Sequence, residues 1–184
     1  MVLQMNGAEN SEGLSEAKIN LKIALKLQNI LESSGAVVLL TRSDDNGIYD
    51  LDTNTISQKK VSDIKNRVKI GNKSSADIFV SIHLNKIPQG EYWGWQTFFN
   101  SNGNSKKLAT CIQNNLNETI SLSNKRVPHK LDNVYIMKHV EIPISIVECG
   151  FLSNSQESKK LLEDNYQDKL AWGIYSGIMD YFYN

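Results

Sequence analysis

Cysteine is scarce in this chain: Cys111 and Cys149 are the only two in 184 residues. Two are too few for a disulfide scaffold, and their spacing is not the C-x-x-C of a redox or zinc motif. Long apolar runs are missing as well. Ala36-Val37-Val38-Leu39-Leu40 is among the longest, far short of the roughly 20 residues that a membrane-spanning helix needs. Residues 1–10 hold neither a basic patch nor an apolar stretch, so no secretory leader is expected within them. Excess charge is absent too. Lys and Arg number 20 against 20 Asp and Glu, a difference of 20 − 20 = 0, and the pI is about 6.8. A neutral surface argues against nucleic acid or an anionic membrane as the partner. Neither internal repeats nor low-complexity tracts occur.

What is present reads as one globular domain. Hydrophobic residues make up 40% and charged residues 22%, a balance that supports a core and excludes disorder. Ile19, Ile23, Leu27 and Leu31 recur at helical spacing, so a helix is expected from Ser15 to Ser34, with Ser15 as its N-cap and Gly35 ending it. A buried strand over 36–41, a polar loop over 42–58 and a helix through Val61, Ile64 and Val68 follow. Strands are expected at 77–82, 93–99, 134–137 and 143–147, and helices through Leu108 to Ile120 and from Leu161 to Phe182. Strands alternating with amphipathic helices predict an α/β fold, a single three-layer domain whose mixed, mostly parallel sheet is flanked by helices. Only residues 1–5 offer a first strand, and weakly.

In such sheets ligands gather beyond the carboxyl ends of the strands. His83 follows the apolar run 78–82, and Glu148 follows 144–147. Glu16 lies in the first turn of the first helix, where the positive end of the dipole favours a carboxylate. Taken singly, Glu16 reads as a dipole contact and His83 as an even choice between structure and ligand. Glu148 resists a bland reading, because a carboxylate on a buried strand costs several kcal/mol unless paired, metal-bound or neutralised. Together the three suggest hydrolysis at zinc, with Glu16 and His83 as ligands and Glu148 as base and then acid.

The strings LSEAKINLKIALKL, Leu40-Thr41-Arg42, ADIFVSIHLN and VECGFLSN resemble the zinc-dependent N-acetylmuramoyl-L-alanine amidases, in order and over nearly the whole chain. The C-terminal YQDKLAWGIYSGIMDYF is most similar to the spore-cortex branch. The resemblance implies cleavage of the amide between muramic acid and L-alanine of the peptidoglycan stem peptide, which in the spore branch leads to muramic-δ-lactam. It implies Glu16 and His83 as zinc ligands, Glu148 as the catalytic glutamate, an exported protein acting in the wall or between forespore and mother cell, and control by an activator protein. Family members open with a strand ending in Asp-x-Gly-His-Gly-Gly, whose His is the first ligand. Nothing like it precedes Gly7, so the chain is expected to lack that strand and ligand segment and to hold zinc weakly without help.

Other residues carry weaker expectations. Asn85, beside His83, is a candidate for binding substrate. His129 and His139 are possible substitute ligands, with solvated or structural roles favoured. Glu91, Tyr92, Trp93 and Trp95 could line a glycan groove or pack inward. Arg67 is as readily a structural ion-pair partner of the Asp77 region as a substrate contact, and Lys125–Arg126 is expected to form a solvated loop. Two rival functions stand beside the amidase: a cysteine hydrolase using Cys149 with His83 or His139, and a non-catalytic wall-binding or regulatory protein on the same fold.

Overall fold

The computed structural model describes residues 2–3 and 14–183. Within them the order is β1 (Val2–Leu3), α1 (Glu16–Ser33), α2 (Ile56–Lys73), β2 (Phe79–Asn85), β3 (Gln96–Phe99), α3 (Ser105–Thr119), β4 (His129–Lys130), α4 (Tyr135–His139), β5 (Ile144–Phe151), α5 (Ser155–Lys160) and α6 (Asp164–Tyr183). The strands form one sheet in the order β1-β2-β5-β3-β4. Only the β3–β5 pairing is antiparallel among the described strands; the other three are parallel. The α/β class and the mixed, mostly parallel sheet are therefore as expected. No helix of the described residues is long and apolar enough to cross a membrane.

Strand periodicity sorts the core into two layers. Val80, Ile82 and Leu84 of β2, with Val147 and Cys149 of β5, face α1, α3 and α6. Phe79 of β2 and Ile144 and Ile146 of β5 face the smaller layer of α2 and α4. The α1 stripe Ile19, Ile23, Leu27 and Leu31 is buried on the larger side. Gly35, at φ +86°, terminates that helix in a conformation other residues adopt only with strain. A capping box of Thr55 and Gln58 starts α2.

Three expectations fail. Residues 36–41 form no strand and pair with none among the described residues. Val38 and Leu40 pack on the core, whereas Val37 stays fully exposed. Alternation put half of this segment inward, but a strand also requires a neighbour for its backbone hydrogen bonds. Residues 134–137 supply not a strand but the start of α4, a helix short enough that β-branched Val134 merely precedes it as N-cap. And an opening strand does exist: β1 pairs in parallel with β2, Val2 opposite Ser81 and Leu3 opposite Ile82. The segment that would carry a first metal ligand lies outside the described residues.

The α3–α6 contact depends on glycine. A Cβ at Gly177 would stand 2.4 Å from Ile112 Cα and 2.7 Å from Ile112 N, both backbone atoms that cannot swing away. Gly177→Ala should therefore destabilise the fold by about 1–3 kcal/mol or more, despite the gain of about 1 kcal/mol in helix propensity. Urea unfolding of the two proteins measures the difference.

Candidate active site

The parallel register of β2 and β5 sets His83 directly beside Glu148, and the antiparallel register of β5 and β3 sets Gln96 on the other flank of Glu148. Side-by-side residues in a sheet project to the same face. His83, Glu148 and Gln96 thus form a row across three strands, on the face that carries Phe79, Ile144 and Ile146 further down. Glu16, buried at the start of α1, reaches the row from the rim. Its Oε1 accepts the Leu84 backbone N–H at 3.3 Å and the Asn20 amide at 3.2 Å, and lies 3.3 Å from His83 Nδ1. His83 Nε2 is hydrogen-bonded to Ser81 Oγ at 3.0 Å, so both ring nitrogens have a fixed neighbour.

Glu148 is the anomalous member. Its Oε2 is buried with no hydrogen-bond partner among the described residues. Burial pushes its carboxyl up to about 7; His83 opposes the rise and the negative charge of Glu16 adds to it. A carboxyl titrating near neutrality is suited to accepting and then returning a proton. Imidazole and carboxylate are donors that zinc accepts, and Glu16 and His83 present both. Among the described residues, however, no group of three or more His, Cys, Asp or Glu could hold a metal. They supply a pair of donors, short of the usual three.

Two buried arginines tie the first turn of α1 and the segment after it to α2. Arg42 Nη2 donates to the Ala17 carbonyl in the first turn of α1 at 2.6 Å, and Nη1 donates to the Asp44 carbonyl. Arg67 Nη1 donates to Thr41 Oγ1 at 2.6 Å, and Nε and Nη2 hold Asp63 at 2.6 and 3.1 Å. Arg67 therefore serves structure, but not through Asp77, which is exposed and precedes β2. A helix places Asp63 one turn before Arg67, a far shorter reach than the sheet.

The remaining candidates separate. Asn85 ends β2, two residues past His83, and its carbonyl accepts the Leu152 N–H at 2.8 Å. His129 and His139 are exposed on β4 and α4, the latter stacked on Tyr135 at 4.0 Å; neither joins Glu16 and His83 in a donor group. Cys149 is fully buried in the α1/α3/α6 layer, opposite in facing to Glu148. Burial pushes its thiol far above the ordinary range, which leaves no thiolate for nucleophilic catalysis. The aromatic set divides as well. Trp95 is core, its indole N–H donating to Asn117 at 2.8 Å, while Tyr92 and Trp93 keep about 40% exposure. Gln96 was not foreseen, although strict alternation from buried Trp95 and Thr97 would have turned it to the other face.

Comparison with known proteins gives a consistent answer. The family model described as N-acetylmuramoyl-L-alanine amidase matches residues 4–180. The germination-specific N-acetylmuramoyl-L-alanine amidase of Bacillus subtilis is 35% identical over 170 residues, covering 92% of this chain and 71% of that protein. The amidase LytC of the same organism is 31% identical over 173 residues, 92% of this chain but 32% of its own length. Among solved structures, the CwlD amidase of Clostridioides difficile, in complex with the GerS lipoprotein, superposes with a TM-score of 0.94 at 42% identity, over 98% of this chain and 96% of that one.

The bracing network has a measurable cost when broken. Arg67→Ala strands the buried Asp63 carboxylate, whose side chain is 2% exposed, and should lower stability by about 3–5 kcal/mol. Denaturant titration of the purified variant checks this.

Proposed function

This chain belongs to the N-acetylmuramoyl-L-alanine amidase family, and on that premise we propose that its own site hydrolyses the amide between N-acetylmuramic acid and the L-alanine of a peptidoglycan stem peptide. The observation that carries the reading is the Glu148 carboxyl beside His83, whose Oε2 is buried with no hydrogen-bond partner among the described residues. A side chain kept in that state at a net energetic cost is one retained for chemistry. Glu148 takes a proton from the attacking water and delivers it to the departing alanine nitrogen. The C–N bond breaks, leaving a carboxylate on the lactyl group and a free amino group on the peptide. Ser81 and Glu16 orient the His83 ring.

Glu16 and His83 are the residues that would hold zinc, the metal the family resemblance implies. When bound, zinc acidifies a water ligand toward a pKa of about 7 and polarises the substrate carbonyl. The two donors found among the described residues would bind it weakly on their own, so an activator protein that stabilises the site is part of this proposal; the complex of the CwlD amidase with a lipoprotein supports it. Similarity to the germination-specific amidase supports action on spore cortex, where cleavage prepares muramic acid for conversion to muramic-δ-lactam. That substrate lies outside the cytoplasmic membrane, so the working protein is exported to the wall or the forespore–mother cell space. The short donor set among the described residues favours one second reading, a wall-binding or regulatory protein that has kept the fold without turnover.

Glu148→Gln decides between them. It should reduce the rate of muropeptide cleavage by at least a thousandfold while leaving thermal stability unchanged or raised, since it removes an orphaned buried charge. No rate in either protein with zinc and partner supplied favours the non-catalytic reading, whereas an unchanged rate removes Glu148 from the chemistry and overturns the mechanism. Zinc itself should be retained at well below one equivalent after dialysis of the isolated chain, by elemental analysis; stoichiometric retention refutes the weak-site proposal.

A further inference from the structure

Gln96, the strand neighbour of Glu148 on the side away from His83, connects the site to a cation. Its Nε2 donates to the Val127 carbonyl at 3.0 Å, and its Oε1 lies 3.4 Å from Arg126 Nη1. The guanidinium rests over the Phe151 ring at 5.0 Å, with Nε 3.4 Å from the Trp93 carbonyl. Asn124 fixes the loop beneath it, accepting the Arg126 backbone N–H at 3.1 Å and donating to the Trp95 carbonyl at 2.7 Å. Both side-chain hydrogen-bond contacts of the guanidinium are long, so most of its five N–H donors remain unsatisfied by protein.

No carboxylate among the described residues lies within ion-pair distance of Arg126. Glu157 is near enough for the charges to be felt, but its oxygens are taken by the backbone N–H groups of Gly94 and Phe151 at 2.8 and 2.7 Å. Arg126 opens into a hollow of about 380 Å³ that Tyr92, Trp93, Glu91 and Lys125 also line. The hollow carries one carboxylate against two cations, and half-exposed rings form its wall.

We propose that Arg126, seated through Gln96 beside Glu148, binds a free carboxylate of the stem peptide and so positions the peptide side of the amide to be cleaved. This deepens the amidase reading and rests on it. The guanidinium fork matches a carboxylate bidentately, and Phe151 below holds its plane by a cation–π contact. Register partners across an antiparallel pair stand about 5 Å apart. Arg126 lies one side-chain contact beyond Gln96, on the side to which the residue following the alanine would extend from the amide nitrogen. The face of the row toward β3 therefore takes the peptide, and the face toward β2 and α1 holds the Glu16–His83 pair.

The test uses the intact chain carrying Glu148→Gln and the peptide L-alanyl-γ-D-glutamate, compared with its α-carboxamide, by calorimetry. Hydrolysis of muropeptides bearing the free or amidated carboxylate is followed in parallel with zinc supplied. Amidation should weaken binding about tenfold or more. Arg126→Gln should impose the same loss on the acid and none on the amide, and Arg126→Lys should recover part of it. In turnover the loss should fall on KM rather than kcat. Equal binding of acid and amide, no binding of either at millimolar concentration, or an equal loss on both with Arg126→Gln overturns the subsite. Arg126-dependent peptide binding without any cleavage by the unsubstituted chain would keep the subsite and remove the amidase reading. Cleavage indifferent to Arg126 would do the reverse.

Discussion

The lateral contact between β2 and β5 is the constraint on which the site depends. It brings a carboxylate and an imidazole together within the carboxyl-terminal halves of two strands whose preceding residues are buried. Removing Glu148 from water without a hydrogen-bond partner for one of its oxygens is unfavourable by several kcal/mol. The sheet tolerates it because apolar residues on both faces hold the register. Slipping that register by one residue would exchange the faces and send Glu148 into the layer where Cys149 now sits.

The two helical layers make unequal contributions. The α1, α3 and α6 side is the larger core, closed by a backbone-to-backbone approach at Gly177. The α2 and α4 side is smaller and stops below the carboxyl ends of β2 and β5, which leaves the row of His83, Glu148 and Gln96 open at the rim. Reversal of β3 relative to β5 has a consequence of its own. It brings the loops around Trp93 and Arg126 to the same end as Glu148, so cation, rings and carboxylate share one edge.

Much of this was legible from residue patterns. Ile19, Ile23, Leu27 and Leu31 announced α1 because a helical stripe is a local property, and the apolar runs before His83 and Glu148 announced β2 and β5 likewise. Glu148 stood out by the cost of placing a carboxylate on such a run, and one of its oxygens has no hydrogen-bond partner among the described residues. What escaped was whatever depended on a neighbour. Residues 36–41 alternate like a strand yet have no ladder partner among the described residues. Arg67 found Asp63 a turn away rather than a group at the sheet. Trp95 and Trp93 are alike in a string of letters, and only packing sends one inward and leaves the other half in water.

The linear chain by itself determined the fold class, the main helices, the family likeness and the choice of Glu16, His83 and Glu148 as candidates, because periodicity, apolar runs and short motifs are written along the backbone. Only the tertiary structure decided that Gln96 stands beside Glu148, that Cys149 faces away from it, and that Arg126 shares its edge. Those relations follow from strand order and register, which bring residues dozens of positions apart into contact and are not encoded in any one stretch of sequence.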